Sequence, residues 1–210
     1  MTTKHPSELC QDFQDDRLRF LAELFSATRD AALDLYRPEE GENPWDLGCR
    51  CYSRTTFALE QAAGSGEHPW LTILQPRVPG KQFIFKVGQQ PVRFYTGSSA
   101  RPNPRSLRCE HMELHALELA LPDQVGTKAT EWLWRIAIGV DQTGHVAQVA
   151  VLQTTRGGSV RNPYSIPFSR NEAGVIVPMP LRSGIEMEKP DVGTWEDDIE
   201  AADEKARGSE

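Results

Sequence analysis

EWLWRIAIGVDQTGHVAQVAV, residues 131–151, is the stretch whose reading decides the fold. Asp141-Gln-Thr-Gly144 has the composition of a turn, and the runs on either side alternate as strands do. Counting back from that turn pairs Val140 with His145, Ile138 with Ala147, Ile136 with Val149 and Trp134 with Val151. This face is nearly all apolar and belongs in a core. The other face, carrying Leu133, Arg135, Ala137, Gln148 and Leu152, reads as only partly covered.

Upstream the same period recurs. Trp70-Leu-Thr-Ile-Leu74 reads as a strand, and residues 82–88 and 91–97 read as a hairpin. With Gln89-Gln90 as its turn, Phe85 faces Phe94 and Val87 faces Val92, while Lys86 faces Arg93 on the opposite side. Two like charges so opposed disfavour pairing unless an anion or carboxylate lies near. Gly97 to Ser106 is irregular, and Cys109 to Leu121 reads as one helix inserted between the hairpins. Beyond Thr155 the chain loosens, with Val175-Ile-Val177 as a last edge strand.

The N-terminal third follows the helical period instead. Leu18, Leu21, Leu24, Phe25, Ala32 and Leu35 predict a helix from about Asp12 to Tyr36, ended by Pro38. Asn43 as cap and Pro44 at the first position open a second helix, closed near Gly64. Its core face is expected to carry Trp45, Cys49, Tyr52, Thr56, Leu59 and Ala63. The chain is therefore expected to be α+β: two N-terminal helices packed on a largely antiparallel five- to six-stranded sheet with one inserted helix. Residues 1–11 read as a flexible N-terminus, 12–185 as a single globular domain, and 186–210 as an acidic disordered tail around Trp195.

Charge is distributed unevenly over this plan. Residues 1–65 hold 7 Lys and Arg against 12 Asp and Glu, residues 66–170 hold 12 against 7, and residues 171–210 hold 4 against 11. No acid occurs from His68 through Cys109. A basic middle between acidic flanks suits an anionic partner. Lys86, Arg93, Tyr95, Arg101, Arg105 and Arg108 are the candidate surface, cations for phosphates and an aromatic ring for bases. The acidic tail would compete for it. Against this stands the plainer reading of Phe83 and Phe85 as core and the cations as a solvated rim.

Other chemistry is weakly signalled. His111 and His115 lie one helical turn apart, as two metal ligands would, but Met112 stands where a zincin has Glu. Cys109, Cys49 and Cys51 match no zinc-finger or ribbon spacing. Glu113, Glu118, Glu131 and Asp141 with Lys128 would suit a metal-dependent phosphodiesterase or nuclease, without the Glu-x-Lys such a site wants. No phosphate loop, dinucleotide fingerprint or nucleophile elbow is present, so no cofactor is implied. No apolar run approaches the roughly 20 residues that span a bilayer, and Met1–Pro6 lacks the apolar stretch of a secretory signal. A cytoplasmic, non-enzymatic binding or regulatory protein is the expectation. The alternative is a protein–protein adaptor working through its acidic helices or its tail.

Overall fold

The computed structural model describes residues 3–78, 81–120, 132–155 and 159–169. Helices α1 (Pro6–Leu9), α2 (Asp15–Leu33) and α3 (Pro44–Gly64) come first. Strands β1 (Leu71–Gln75), β2 (Ile84–Val87) and β3 (Gln90–Thr96) follow. A short helix α4 (Pro104–Leu107) and α5 (His111–Ala120) then lead to β4 (Trp132–Val140), β5 (Val146–Thr155) and β6 (Val160–Ser165). The six strands form one sheet in sequence order, antiparallel throughout except for the parallel pair β3–β4. A parallel pair needs a crossover, and α4 and α5 lie in it. The protein is α+β, and none of the described helices is long and apolar enough to cross a membrane.

Both faces of the sheet are covered. On one, Phe13, Leu18, Leu21 and Phe25 from the N-terminal region meet Phe85, Val87, Val92, Trp134, Ile136, Val149 and Val151 in a single core. The Phe13 and Trp134 rings lie 4.3 Å apart. Each of these large side chains contributes roughly 1.5–3 kcal/mol by leaving water. The other face is covered over most of its length: Leu133, Arg135, Ala137 and Leu152 are each 0–1% exposed, whereas Gln148 near the turn is exposed, as the partly covered face expected from sequence requires. Ala116, Leu117 and Glu113 of α5 are buried with them.

Both hairpin registers differ from the counted ones. The first turn is Gly88-Gln89, which pairs Lys86 with Pro91 and Phe85 with Val92. Gly88 has φ +59°, the first-position geometry that a tight hairpin turn asks of glycine. In the second hairpin Val140 faces Val146, one residue on from the counted His145, and an irregularity between Gly139 and Val140 adds another, so Ile138 faces Val149 and Trp134 faces Gln153. The sidedness survives because the displacement is by two residues.

The inward face of α3 is also rotated from the expected one. Leu47, Cys51, Thr55, Thr56 and Leu59 are buried, whereas Trp45 is 74% exposed. β6 was not expected, because Pro163 forbids a ladder donor there. It is an edge strand, where proline is tolerated. Asn162 within it (φ +50°) exchanges hydrogen bonds with the Lys4 backbone at 2.7 and 2.9 Å. The expected strand at 175–177 and the acidic tail with Trp195 lie outside the described residues.

A Cβ at Gly88 would lie 2.0 Å from Asp12 Oδ1, and the same carboxylate accepts from Gln89 N at 3.0 Å. Gly88→Ala therefore forces both a disfavoured φ and the loss of that bond. Urea denaturation should show a loss of about 2 kcal/mol.

Candidate functional site

The β2–β3 ladder ends at Phe85–Val92, but β3 continues beside β4 as far as the pair Thr96–Ile138. Beside this unaccompanied end of β3 lies a cleft of about 590 Å³. Pro44, Trp45, Gly48, Cys49 and Tyr52 line it from α3, Arg93, Phe94 and Tyr95 from β3, and Asn103, Arg105 and Ser106 from the crossover. Lys81, Gln82 and Arg135 complete it. Among these lining residues four are cations, four are aromatic and none is a carboxylate.

The α3 wall follows from its cap. Asn43 Oδ1 accepts from Trp45 N and Asp46 N at 2.8 and 3.3 Å, and Asp46 Oδ2 accepts from Asn43 N at 2.9 Å. This capping box fixes the first turn. Buried Leu47, Cys51, Thr55 and Leu59 form a stripe four residues apart. Trp45 sits two positions before Leu47, about 200° round the helix, and so turns away from the core.

The floor is ionic. Arg93 and Arg135 are partners across the parallel ladder and are 4% and 0% exposed. Glu113, fully buried, bridges them: Arg135 Nη1 donates to its Oε1 at 2.5 Å, and Arg135 Nη2 and Arg93 Nη1 donate to its Oε2 at 3.2 and 3.3 Å. Further donors go to the crossover backbone. Arg135 Nε bonds Ser106 O at 2.7 Å, and Arg93 Nη1 and Arg135 Nη2 bond Arg108 O at 2.7 and 3.1 Å. Burial pushes the Arg135 guanidinium below the ordinary arginine value, and Glu113 pulls it back up. Burial likewise pushes the Tyr95 phenol up to about 12, with Arg135 opposing. Tyr95 thus stays protonated at neutral pH and donates to Ser98 O at 3.2 Å.

The rim is where charge meets solvent. Lys81 and Arg105 are exposed. In the amide orientation that satisfies both groups, the Gln82 oxygen accepts from Arg105 Nη2 and Nε at 2.9 and 3.0 Å. Of the residues singled out from sequence, the cleft brings together Arg93, Tyr95 and Arg105. Lys86, Arg101 and Arg108 do not line it, and Arg93 is turned to Glu113 rather than outward beside Lys86. Lys86 Nζ instead reaches Gln89 Oε1 at 3.3 Å. Trp45 and Tyr52 were expected on the core face of α3, and Lys81 and Gln82 were not among the candidate site residues. The i, i+4 stripe on α3 was the signal that could have placed Trp45 outside.

The other chemistry stays scattered. His111 and His115 are both exposed on α5. Among the described residues no group of three His, Cys, Asp or Glu could hold a metal ion. Glu113 is committed to two arginines, and Asp141 Oδ1 caps its own turn, accepting from Thr143 N and His145 N at 2.9 and 3.1 Å. Glu131, Lys128 and the side chain of Glu118 lie outside the described residues. Comparison with family models, curated proteins and solved structures finds no match for this chain.

Removing the Glu113 charge leaves two buried guanidinium groups facing each other. Glu113→Gln should cost about 3–5 kcal/mol in chemical denaturation. The double change Glu113→Leu, Arg135→Met, which removes one charge of each sign, should cost less than Glu113→Gln alone.

Proposed function

We propose that this protein is a non-enzymatic binding protein whose cationic cleft holds nucleic acid, in single-stranded form, or a comparable polyanion. One observation carries the reading. Lys81, Arg93, Arg105 and Arg135 converge on a cleft whose described lining has no carboxylate, with the exposed Trp45 ring on its α3 wall. Lys81 and Arg105 are the exposed cations of the lining, in reach of phosphates from solvent. Arg93 and Arg135, held by Glu113, shape the floor. An exposed indole beside cations suits unpaired bases, which stack on it, better than a closed duplex.

The test is a fluorescence-anisotropy titration of labelled single- and double-stranded oligonucleotides at two salt concentrations. Single strands should bind more tightly than duplex, and affinity should fall steeply with salt as counterions are released. The double reversal Lys81→Glu, Arg105→Glu should abolish most of the binding at low salt. Trp45→Ala should weaken single-strand binding by roughly tenfold, in line with the loss of one stacked base. No binding at low salt, or full affinity in the folded double reversal, would end this reading.

Residues 186–210 hold 10 acids against 3 bases. A 1–185 truncation removes this negative charge and should bind the same oligonucleotides more tightly, most visibly at low salt.

A further inference from the structure

Among the described residues the buried charged side chains are Arg29, Arg93, Arg135 and Glu113. Glu113 answers two of these arginines. Arg29, 9% exposed and carried by α2 on the other side of the sheet, has no such partner. Its Nε donates to the Gly144 carbonyl, and its Nη1 lies 3.6 Å from Cys51 Sγ. Neither acceptor carries a charge, since burial pushes the Cys51 thiol up and keeps it protonated at neutral pH. The neighbouring Asp30 is engaged by His145 Nδ1 at 2.6 Å. Among the described residues no carboxylate forms an ion pair with Arg29.

Arg29 lines a cavity of about 60 Å³ between α2, α3 and the end of β3. Cys51, Tyr52, Thr55, Tyr95 and Thr96 also line it. A water needs roughly 10–15 Å³ of such space, so there is room for water or for one small ion. Donors are at hand. Tyr52 Oη accepts from Phe83 N at 3.2 Å, which leaves its proton to give, and Thr55 Oγ1 shares a 3.0 Å bond with Thr28 Oγ1. A buried cation without a counter-charge is costly, and the cavity adjoins one that, among the described residues, has no carboxylate partner.

We propose that this cavity binds a small inorganic anion, which supplies Arg29 with the counter-charge that the fold does not. The anion ties together three parts that Arg29 already touches: α2, Cys51 of α3 and the β4–β5 turn at Gly144. It centres on Arg29, which does not line the oligonucleotide cleft, although Gly48, Tyr52, Phe94 and Tyr95 line both spaces.

The experiment is thermal unfolding of the full chain at constant ionic strength, with sodium gluconate replaced stepwise by chloride, bromide or phosphate. Gluconate serves as the bulky, weakly coordinating reference anion. The midpoint should rise and then follow simple saturation. At ten times its dissociation constant, a site-bound ion shifts the folding equilibrium by a factor of about 11. Which of the three ions acts at the lowest concentration distinguishes a halide site from an oxyanion site. Arg29→Met should remove the dependence. A general salt effect would persist in that variant and would overturn the proposal, as would no rise at all. Anomalous diffraction from a bromide-soaked crystal of the unaltered protein needs no variant. A peak at the Arg29 guanidinium supports the site, and peaks at Lys81 and Arg105 alone overturn it.

Discussion

The parallel pairing of β3 with β4 sets two arginines side by side, and much of the crossover is arranged around that fact. Arg93 and Arg135 are direct register partners on one face of the sheet. Like charges so placed oppose the pairing, and in a buried site the repulsion is poorly screened. The ladder is compatible with these residues only if a carboxylate comes down between them. Glu113 does, from the first turn of α5, and its own Oε2 also accepts from Glu110 N at 2.8 Å. Strand register and crossover helix are thus conditions of each other.

The same constraint shapes the chain between them. Guanidinium donors that Glu113 cannot use must find carbonyls, and those of Ser106 and Arg108 lie within reach because α4 and the turn after it cross over the sheet here. Holding that backbone leaves the side chain of Arg105 on the outside, while the Asn103 cap fixes the entry to α4 through Ser106 N at 2.9 Å. The cationic rim of the cleft is in this sense a by-product of the buried ion cluster. Its opposite wall has an unrelated origin, the capped first turn of α3.

Much of the architecture was legible in the sequence because it rests on local signals. Asn43-Pro44 marks the start of α3 to the residue, and the apolar alternation of 132–140 marks a strand with a buried face. What was not legible depends on irregularities or on distant partners. Gly88, with its positive φ, moves the first turn by one residue and the pairing by two. In the second, Val140 pairs one residue further along than counted, with Val146, and the irregularity at Gly139 adds one more. The suspicion that Arg93 opposed a like charge and needed a carboxylate nearby was physically sound, but the partner was Arg135 and not Lys86. No periodicity within either hairpin carries that information, because the parallel register is set across a crossover.

Burial of Arg93 does not remove the basic character of the middle segment. Among the described residues of this segment, the interior takes Arg93, Arg135 and Glu113. Two cations go in with one acid, so these three lower the excess outside by a single charge. What changes is where the excess can act. Charges at Lys81 and Arg105 stand at the mouth of a concavity, where low-dielectric walls focus their field toward the opening. A scattered set such as Lys86, Arg101 and Arg108 spreads the same charge over a screened surface. Position in the cleft, more than the number of cations in the sequence, decides which of them an anion meets.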